Sequence, residues 1–174
     1  MKEEIREQIE KLAHPDAQVR EEAKWKLIDM GRVVVPHVLP LLEHKDPRVR
    51  WEATFILAEL ALPETAEALI KRLEDDRAEI RHVAITGLIN IGCEAIEPLL
   101  KALVERGSRS PVLREGARAV LMELRESCPV VPLDELIHAL KGVHEERIPE
   151  PTRVVHLAYE LLKKLLVEGK HKAS

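Results

Sequence analysis

The chain has 174 residues, and its 27 basic and 31 acidic side chains give a formal net charge of −4 at pH 7. This length is enough for one continuous core, and the slightly acidic charge disfavours nucleic-acid binding, which calls for a basic surface. Aromatic residues make up only 2% of the chain, so aliphatic side chains must fill the interior, as in closely packed helices.

Membrane and redox signals are weak in this sequence. No apolar stretch approaches the roughly 18 residues of a membrane span, and the charged N-terminus does not predict a signal peptide. Cys93 and Cys128 lack metal-type spacing and an activating neighbour, which predicts reduced, unreactive thiols and a cytoplasmic protein. Asn90, Gln8 and Gln18 are the only side-chain amides, and this scarcity hints at a thermophilic source.

The first predicted element is a charged helix over residues 2–12, with Ile5, Ile9 and Leu12 on one side. Downstream of it, an aliphatic-Arg-x-x-Ala phrase recurs about thirty residues apart, each copy with a Leu seven residues after the Arg. The copies begin at Val19, Val49, Ile80 and, after a longer gap, Leu113. A fixed period of this size predicts stacked helical repeats, with the first helix acting as a cap.

The second repeat, residues 46–73, predicts two short antiparallel helices. The first begins after Asp46, a good N-cap, and carries apolar side chains at spacings of four, four and three. Residues 62–64 contain a proline that breaks this helix, and a second amphipathic helix follows. Neither helix can bury its apolar face alone, so the two must pack together.

The other repeats follow this pattern, with Asp16, Asp76 and Ser110 in the cap position. The sequence therefore predicts one domain over residues 1–168 and a flexible tail over 169–174. Its repeats and terminal helix are expected at about residues 14–43, 46–73, 76–103, 110–141 and 151–167.

The second helix is expected over residues 37–43 in repeat 1 and over residues 132–141 in repeat 4. A small residue three positions after each repeat arginine predicts the place where paired helices come closest. These residues are Ala23, Ala53, Ala84 and Ala117.

These units resemble the HEAT-like repeats of the phycobilisome-lyase type, whose unit reads roughly Asp-x-x-x-Val-Arg-x-x-Ala followed by Leu and Gly. The resemblance covers about residues 12–141 and implies an all-α, right-handed α-α superhelix, a HEAT-like solenoid of about five helix pairs. In that family the Asp and Arg of neighbouring units interact along the stack. By resemblance, the structural positions are Asp16, Arg20, Asp46, Arg50, Asp76, Arg81 and Arg114.

Three specialised relatives can be compared with this sequence. Deoxyhypusine hydroxylase has a similar layout but places His-Glu pairs after several repeat arginines to hold two irons; here only His144-Glu145 occurs, alone in a long loop. HEAT-like DNA glycosylases present a basic, aromatic surface that this acidic chain lacks. A bilin lyase subunit stays open by resemblance. His14 and His44 occupy equivalent turns, and solvation is favoured there over metal binding.

The second helices carry a recurring charge pattern. An acid stands four residues before a base in three of them, with Lys71, Lys101 and His138 as the basic members. Such pairs usually support their own helix, and this interpretation is favoured. The alternative is a charged ladder that contacts a partner, because the second helices of such repeats usually form the binding face.

Three of the four aromatic residues fall in the first helices of repeats 1 and 2. These are Trp25, Trp51 and Phe55. A packed seam between the two repeats is the favoured interpretation, because large aromatics are mostly buried. The alternative is a binding hot spot, since Trp51 occupies a position that other repeats fill with charged residues or histidine.

The sequence contains no phosphate-binding loop, nucleophile elbow or paired catalytic carboxylates. It therefore predicts a non-catalytic protein-protein interaction scaffold or adaptor, with no cofactor, no membrane contact and another protein as partner. The alternative is an accessory subunit of an enzyme, a lyase or maturation factor, that holds a cofactor or client protein.

Overall fold

A computed structural model describes residues 2–128, 133–141 and 151–172. Every regular element in these ranges is helical, which confirms the predicted all-α class. The α-helices are α1 (Lys2–Lys11), α2 (Ala17–Met30), α3 (Val35–Val38), α4 (Pro47–Leu60), α5 (Ala66–Arg72), α6 (Ala78–Ile91), α7 (Ile96–Arg106), α8 (Pro111–Leu124), α9 (Asp134–Lys141) and α10 (Pro151–Lys172). Short 3-10 turns cover Gly31–Val34, Leu39–Glu43, Pro63–Thr65 and Gly92–Ala95.

The packing divides into two compact units, Met1–Asn90 (unit 1) and Ile91–Ser174 (unit 2). In unit 1, α2 packs on α1 and on α4. In unit 2, α7 packs on α8 and α10, and α9 packs on α8 and α10. A single domain over residues 1–168 stays a prediction.

The repeated apolar positions form the core, as their spacing predicts. The Leu seven residues after each repeat arginine is fully buried in all four repeats: Leu27, Leu57, Leu88 and Leu121 are 0% exposed. The small residue three positions after each arginine is buried as well, at 1% or less in Ala23, Ala53, Ala84 and Ala117. One residue of each phrase thus fills the core, and another permits close packing.

Helix α6 packs tightly against α4 and α5 at Gly87, which the sequence analysis did not single out. A Cβ on Gly87 of α6 would lie 2.8 Å from the Ala58 Cβ and 2.9 Å from Leu69 Cδ1. Only hydrogen fits at this point, so glycine sets how near α6 lies to α4 and α5.

Three of the four predicted N-caps are confirmed, because their side chains accept a backbone N–H in the first turn of the helix. Asp16 accepts the N–H of Gln18 at 2.9 Å, and Asp46 accepts that of Arg48 at 2.9 Å. In repeat 4 the Ser110 hydroxyl accepts from Leu113 at 3.1 Å.

Asp76 is not the cap of α6, so this prediction was wrong. Asp16 and Asp46 stand four residues before their repeat arginines and directly before the helix. Asp76 stands five residues before Arg81, so Arg77 occupies the position directly before α6. Asp75 accepts the Arg77 N–H at 3.1 Å. His14 and His44 accept the N–H two residues on in the same way, each through Nδ1 at 3.1 Å. An exposed carboxylate at position 76 is left to interact elsewhere.

Three of the first helices end at a residue with positive φ, a backbone conformation that terminates a helix. Gly31 and Gly92 have φ values of 70° and 81°, and Ala61 has the unusual value of 47° for a residue with a Cβ. Repeat 4 departs from this pattern, because Arg125 at the equivalent position keeps a right-handed backbone, with φ −53°.

Two predicted helices differ in extent. The second helix of repeat 1 is only the four-residue α3 followed by a 3-10 turn, because Pro40 lacks an N–H and its ring crowds the carbonyl four residues earlier. α10 continues to Lys172, past its expected end at 167 and into the predicted tail. The α9 start expected at Pro132 lies outside the described residues, and α9 is described from Asp134.

Cys93 and Cys128 form a disulfide, so the prediction of reduced thiols was wrong. Their Cα atoms lie 5.6 Å apart, which joins the turn after α6 to the turn after α8. The two residues are far apart in sequence and have no pairing motif, so only the packing of these turns reveals the bond. A cytoplasmic location was inferred from reduced thiols and stays a prediction without that support.

One described segment, Ala78–Arg106, has the length and mean hydropathy (1.5) of a membrane span, contrary to expectation. Core helices of soluble proteins meet the same criterion. Gly92 interrupts the segment at φ 81° and a 3-10 turn separates α6 from α7. Each helix is then shorter than the roughly 20 residues that a span needs.

Candidate partner-binding site

Trp25, Trp51 and Phe55 form one aromatic cluster on α2 and α4. The Trp51 ring stacks on Phe55 with centroids 5.3 Å apart, and Trp25 meets Phe55 edge-on at 6.0 Å. Phe55 therefore lies between the two indoles. Trp25 is 43% exposed, while Trp51 and Phe55 are half-buried. The cluster packs the two repeats together and also reaches the surface.

A buried charged pair supports the aromatic cluster, and the sequence analysis missed it. The Lys24 ammonium lies 5.0 Å from the Trp51 ring centroid and 4.5 Å from that of Phe55. Its counter-ion is Glu52, whose Oε2 is 3.4 Å from Lys24 Nζ and makes no directed hydrogen bond. Lys24 is 7% and Glu52 6% exposed. The only signal in the sequence was a lysine placed between a core alanine and Trp25.

Beside the aromatic cluster lies an open cavity of about 320 Å³, which we call the arginine–tryptophan pocket. Trp51 and the buried Ile80 are apolar residues of its lining. Its guanidinium groups belong to Arg20 and Arg48, in the first turns of α2 and α4, and to Arg77, directly before α6. The lining residues are Arg20, Pro47, Arg48, Trp51, Glu52, Arg77, Glu79 and Ile80. All of them belong to unit 1.

Two of these arginines are solvent-facing. The side chain of Arg48 is 63% exposed and pairs with Asp46 at 2.8 Å. Hydrogen bonds from the Arg48 side chain and N–H lower the pKa of Asp46 to about 2. The side chain of Arg77 is 54% exposed and contacts Glu79 at 3.4 Å. Ion pairs this exposed contribute little to stability, so both guanidinium groups can exchange partners at small cost.

The repeat arginines tie each first helix to the turn before it. Arg20 donates to the carbonyl of His14 at 2.8 Å, and Arg81 donates to that of Asp75 at 2.9 Å. The corresponding bonds are Arg50 to His44 at 3.1 Å and Arg114 to Gly107 at 2.6 Å. These bonds satisfy turn carbonyls that no helix reaches, which is a structural task.

Two of these arginines also reach the next repeat. Arg20 Nε lies 3.4 Å from Glu52. Arg50 donates two hydrogen bonds of 3.0 Å to Asp75 and also contacts Asp76. The Asp75 side chain is 2% exposed and has a second cation, Arg72, at 3.2 Å. Burial raises the pKa of Asp75, but hydrogen bonds from Arg50 and the Arg77 N–H outweigh it and hold the pKa below its ordinary value.

The basic residues of the predicted charged ladder have different surroundings. Lys101 pairs with Glu97 of its own helix at 2.7 Å, which is the helix-support arrangement. Lys71 is exposed beside a polar cavity of about 350 Å³ that Arg50 and Asp75 also line. His138 is exposed on α9. A ladder that reads a partner stays a prediction.

Within the described residues, no three His, Cys, Asp or Glu side chains converge as a metal ligand set. His14 and His44 instead accept backbone N–H groups in their own turns. His144-Glu145 lies outside the described residues.

This geometry defines a helical repeat protein in which neighbouring repeats of unit 1 are linked by ion pairs from their first helices. The chain is similar to the HEAT-repeat proteins: a sequence model of HEAT repeats matches residues 5–88, and one of the PBS lyase HEAT-like repeat matches residues 80–105. No curated protein sequence matches the chain.

Among solved structures, the chain is similar to the complex of CpcE and CpcF of phycocyanin lyase from Nostoc sp. PCC7120. The TM-score is 0.58 at 21% sequence identity, over 89% of this chain and 97% of that chain. An identity this low establishes a common fold and leaves the function to the site.

Proposed function

We propose that this chain is a non-catalytic scaffold or adaptor that binds another protein through the aromatic cluster and the adjoining arginine–tryptophan pocket. The observation that carries the proposal is the half-buried Trp51, which is fixed by Phe55 and Lys24 and lines an open cavity. Tryptophan and arginine are the residues most enriched at binding hot spots.

Fixed aromatic rings favour association because little side-chain freedom remains to be lost. Trp51 stacks on Phe55 at 24° between ring planes, and the buried Lys24 contacts both rings. Immobilising a mobile side chain at an interface costs about 0.5–1.5 kcal/mol. Much of that cost is already met when the protein folds, so the exposed part of the cluster is ready for contact.

An accessory subunit of an enzyme is the second candidate. The observation that favours it is the fold shared with the complex of CpcE and CpcF of phycocyanin lyase. In that case the purified chain should retain a chromophore or bind one, which appears as absorbance at wavelengths above the tryptophan band. A scaffold binds its partner without such absorbance.

Affinity capture from lysate of the source organism tests the proposal, with wild type and Trp51→Ala as baits and mass spectrometry as readout. Tyr159→Ala is the matched control, because Tyr159 is an aromatic residue 47% exposed in unit 2. We expect a protein that wild type and Tyr159→Ala retain and Trp51→Ala loses when the baits are compared at equal amounts of folded protein. If Trp51→Ala only unfolds the chain and leaves affinity per folded molecule unchanged, the hot-spot proposal is wrong.

A further inference from the structure

We infer that the arginine–tryptophan pocket takes an acidic peptide segment of the partner, with a carboxylate side chain between Arg48 and Arg77 and an apolar neighbour against Trp51. This inference rests on the proposed function and adds the chemistry of the segment that binds.

The charges that line the pocket favour an anion. Three guanidinium groups face two carboxylates, and one of these, Glu52, is buried and engaged by Arg20 and Lys24. Glu79 is the only exposed carboxylate among the lining residues, and it contacts Arg77 at 3.4 Å. Arg48 pairs with Asp46, which does not line the pocket. The exposed lining residues therefore carry two positive charges and one negative charge.

Unused donors point in the same direction. Arg48 uses Nε and Nη2 on Asp46, and its Nη1 makes no hydrogen bond within the described part of the chain. Arg77 uses only Nη2, in a 3.4 Å contact with Glu79. A guanidinium group has five N–H donors in a planar fork that suits a carboxylate.

The helix dipoles add to this field. α4 begins at Pro47 and α6 at Ala78, and the first turns of both 14-residue helices line the pocket. A helix carries partial positive charge at its N-terminus, which favours an anion there. The dipoles and the exposed arginines act together on the same cavity.

The apolar lining selects a peptide over a small anion. Trp51 and Pro47 are half-buried and supply the accessible apolar surface, whereas Ile80 is 1% exposed and adds little to it. A free carboxylate or phosphate would leave this surface wet, whereas a leucine next to an acidic residue would cover it. A cavity of about 320 Å³ accommodates one or two side chains.

Calorimetry on the full chain tests the inference with a short synthetic peptide in which two glutamates flank a leucine. The comparison peptide has glutamines in place of the glutamates. We expect measurable binding of the glutamate peptide, weaker binding at high salt because the charges are screened, and no binding of the glutamine peptide. Equal affinity for the two peptides, or binding by neither, would overturn the inference.

Substitutions locate the binding site on the pocket. Arg48→Gln and Arg77→Gln should each weaken binding roughly tenfold, as expected for one charge-assisted contact. Arg32→Gln is the matched control: Arg32 is 70% exposed in unit 1, pairs with Glu64 and does not line the pocket. It should leave affinity unchanged, and an equal loss would show that general charge attracts the peptide.

Glu79→Gln gives the opposite sign, because it removes the carboxylate that competes for Arg77. It should tighten binding of the glutamate peptide by about threefold or more, a gain that damage to the fold cannot produce. Unchanged or weaker binding would contradict the inference. The capture experiment separates this inference from the scaffold proposal. If Trp51→Ala loses the captured partner while the arginine variants keep it, the scaffold proposal stands and the acidic-peptide inference is wrong.

Discussion

In unit 1, consecutive repeats are joined by buried ion pairs, whereas in unit 2 a disulfide joins the turns that follow α6 and α8. Arg50 and Asp75 are 13% and 2% exposed in their side chains. In the described part of unit 2, the ion pairs join exposed side chains, such as Lys101 and Glu97 at 48% and 43%. Contacts between repeats are thus stabilised by buried ion pairs in unit 1 and by a disulfide in unit 2.

This difference predicts that the two units respond to different chemistry. Acid should weaken unit 1, where carboxylates hold the repeats, and reductant should weaken unit 2. Stability is not uniform across such a chain, because each repeat contacts mainly its neighbours. Peptide-resolved hydrogen exchange on the whole chain can therefore follow the units separately.

The largest expected effect comes from reducing the disulfide. Cys93 and Cys128 are 35 residues apart in sequence, and a loop of this length corresponds to about 4 kcal/mol of free energy of unfolding. A reducing agent, or Cys93→Ser with Cys128→Ser, should speed hydrogen exchange in α7 and α8 and lower the melting temperature. Exchange in α2 and α4 should not change. Equal acceleration in both units would show that the disulfide does not act locally.

Asp75→Asn should have the next largest effect. It removes the carboxylate between Arg50 and Arg72 and leaves two guanidinium groups facing each other, at a cost of roughly 3 kcal/mol. Urea denaturation followed through tryptophan fluorescence reports on unit 1, because Trp25 and Trp51 both lie there. The control is Asp76→Asn, since this side chain is 79% exposed and should matter little.

If Asp75→Asn and Asp76→Asn cost the same, the buried pair is not what links repeats 2 and 3. A loss larger in α7 and α8 than in α4 and α6 would contradict the assignment of charge to unit 1.

Gly87→Ala sharpens the comparison by probing apolar packing within unit 1. The added methyl group would meet Ala58 and Leu69 closer than 3.0 Å, and such overpacking costs about 2 kcal/mol. Thermal unfolding should show the loss, and Ala58→Gly in the same chain should recover part of it. If the double variant is no more stable than Gly87→Ala, the close approach of α6 to α4 is not the cause.

The smallest effect expected is the acid dependence of unit 1. The pKa of Asp46 is lowered to about 2, and that of Asp75 is also lowered. A carboxyl group whose pKa is lower when folded stabilises the fold above its unfolded pKa of about 3.9 and loses this contribution as pH falls towards the folded value.

The urea midpoint of wild type should therefore drop between about pH 4 and pH 2. Asp75→Asn should show a shallower drop, since one of the two groups no longer titrates. An identical acid dependence in the two proteins would show that Asp75 does not carry the effect.

Sequence reasoning recovered the fold because the repeat phrase fixes which residues are buried. Leu27 and Leu57 are fully buried, as their spacing requires, and Asp16 and Asp46 cap their helices. The Asp76 prediction failed because Asp76 stands five residues before Arg81, one residue too early for the cap position that Asp16 and Asp46 occupy.

The candidate site was harder to derive from sequence. Trp25, Trp51 and Phe55 were identified as a group, and the structure brings them together. The supporting Lys24 and Glu52 were missed, because two charged residues on different helices carry no joint signal until the helices are packed. The disulfide was missed for the same reason, since its partners meet only through tertiary structure.

The central claim is that the surface around Trp51 contacts a partner protein. Photo-crosslinking tests it most directly, with a photoreactive phenylalanine analogue in place of Trp25, the exposed aromatic residue of the cluster, or, as control, in place of Arg32. In cells of the source organism, we expect a protein crosslinked from position 25 and absent from position 32. The same crosslinks from both positions, or none from position 25 in folded protein, would contradict the claim.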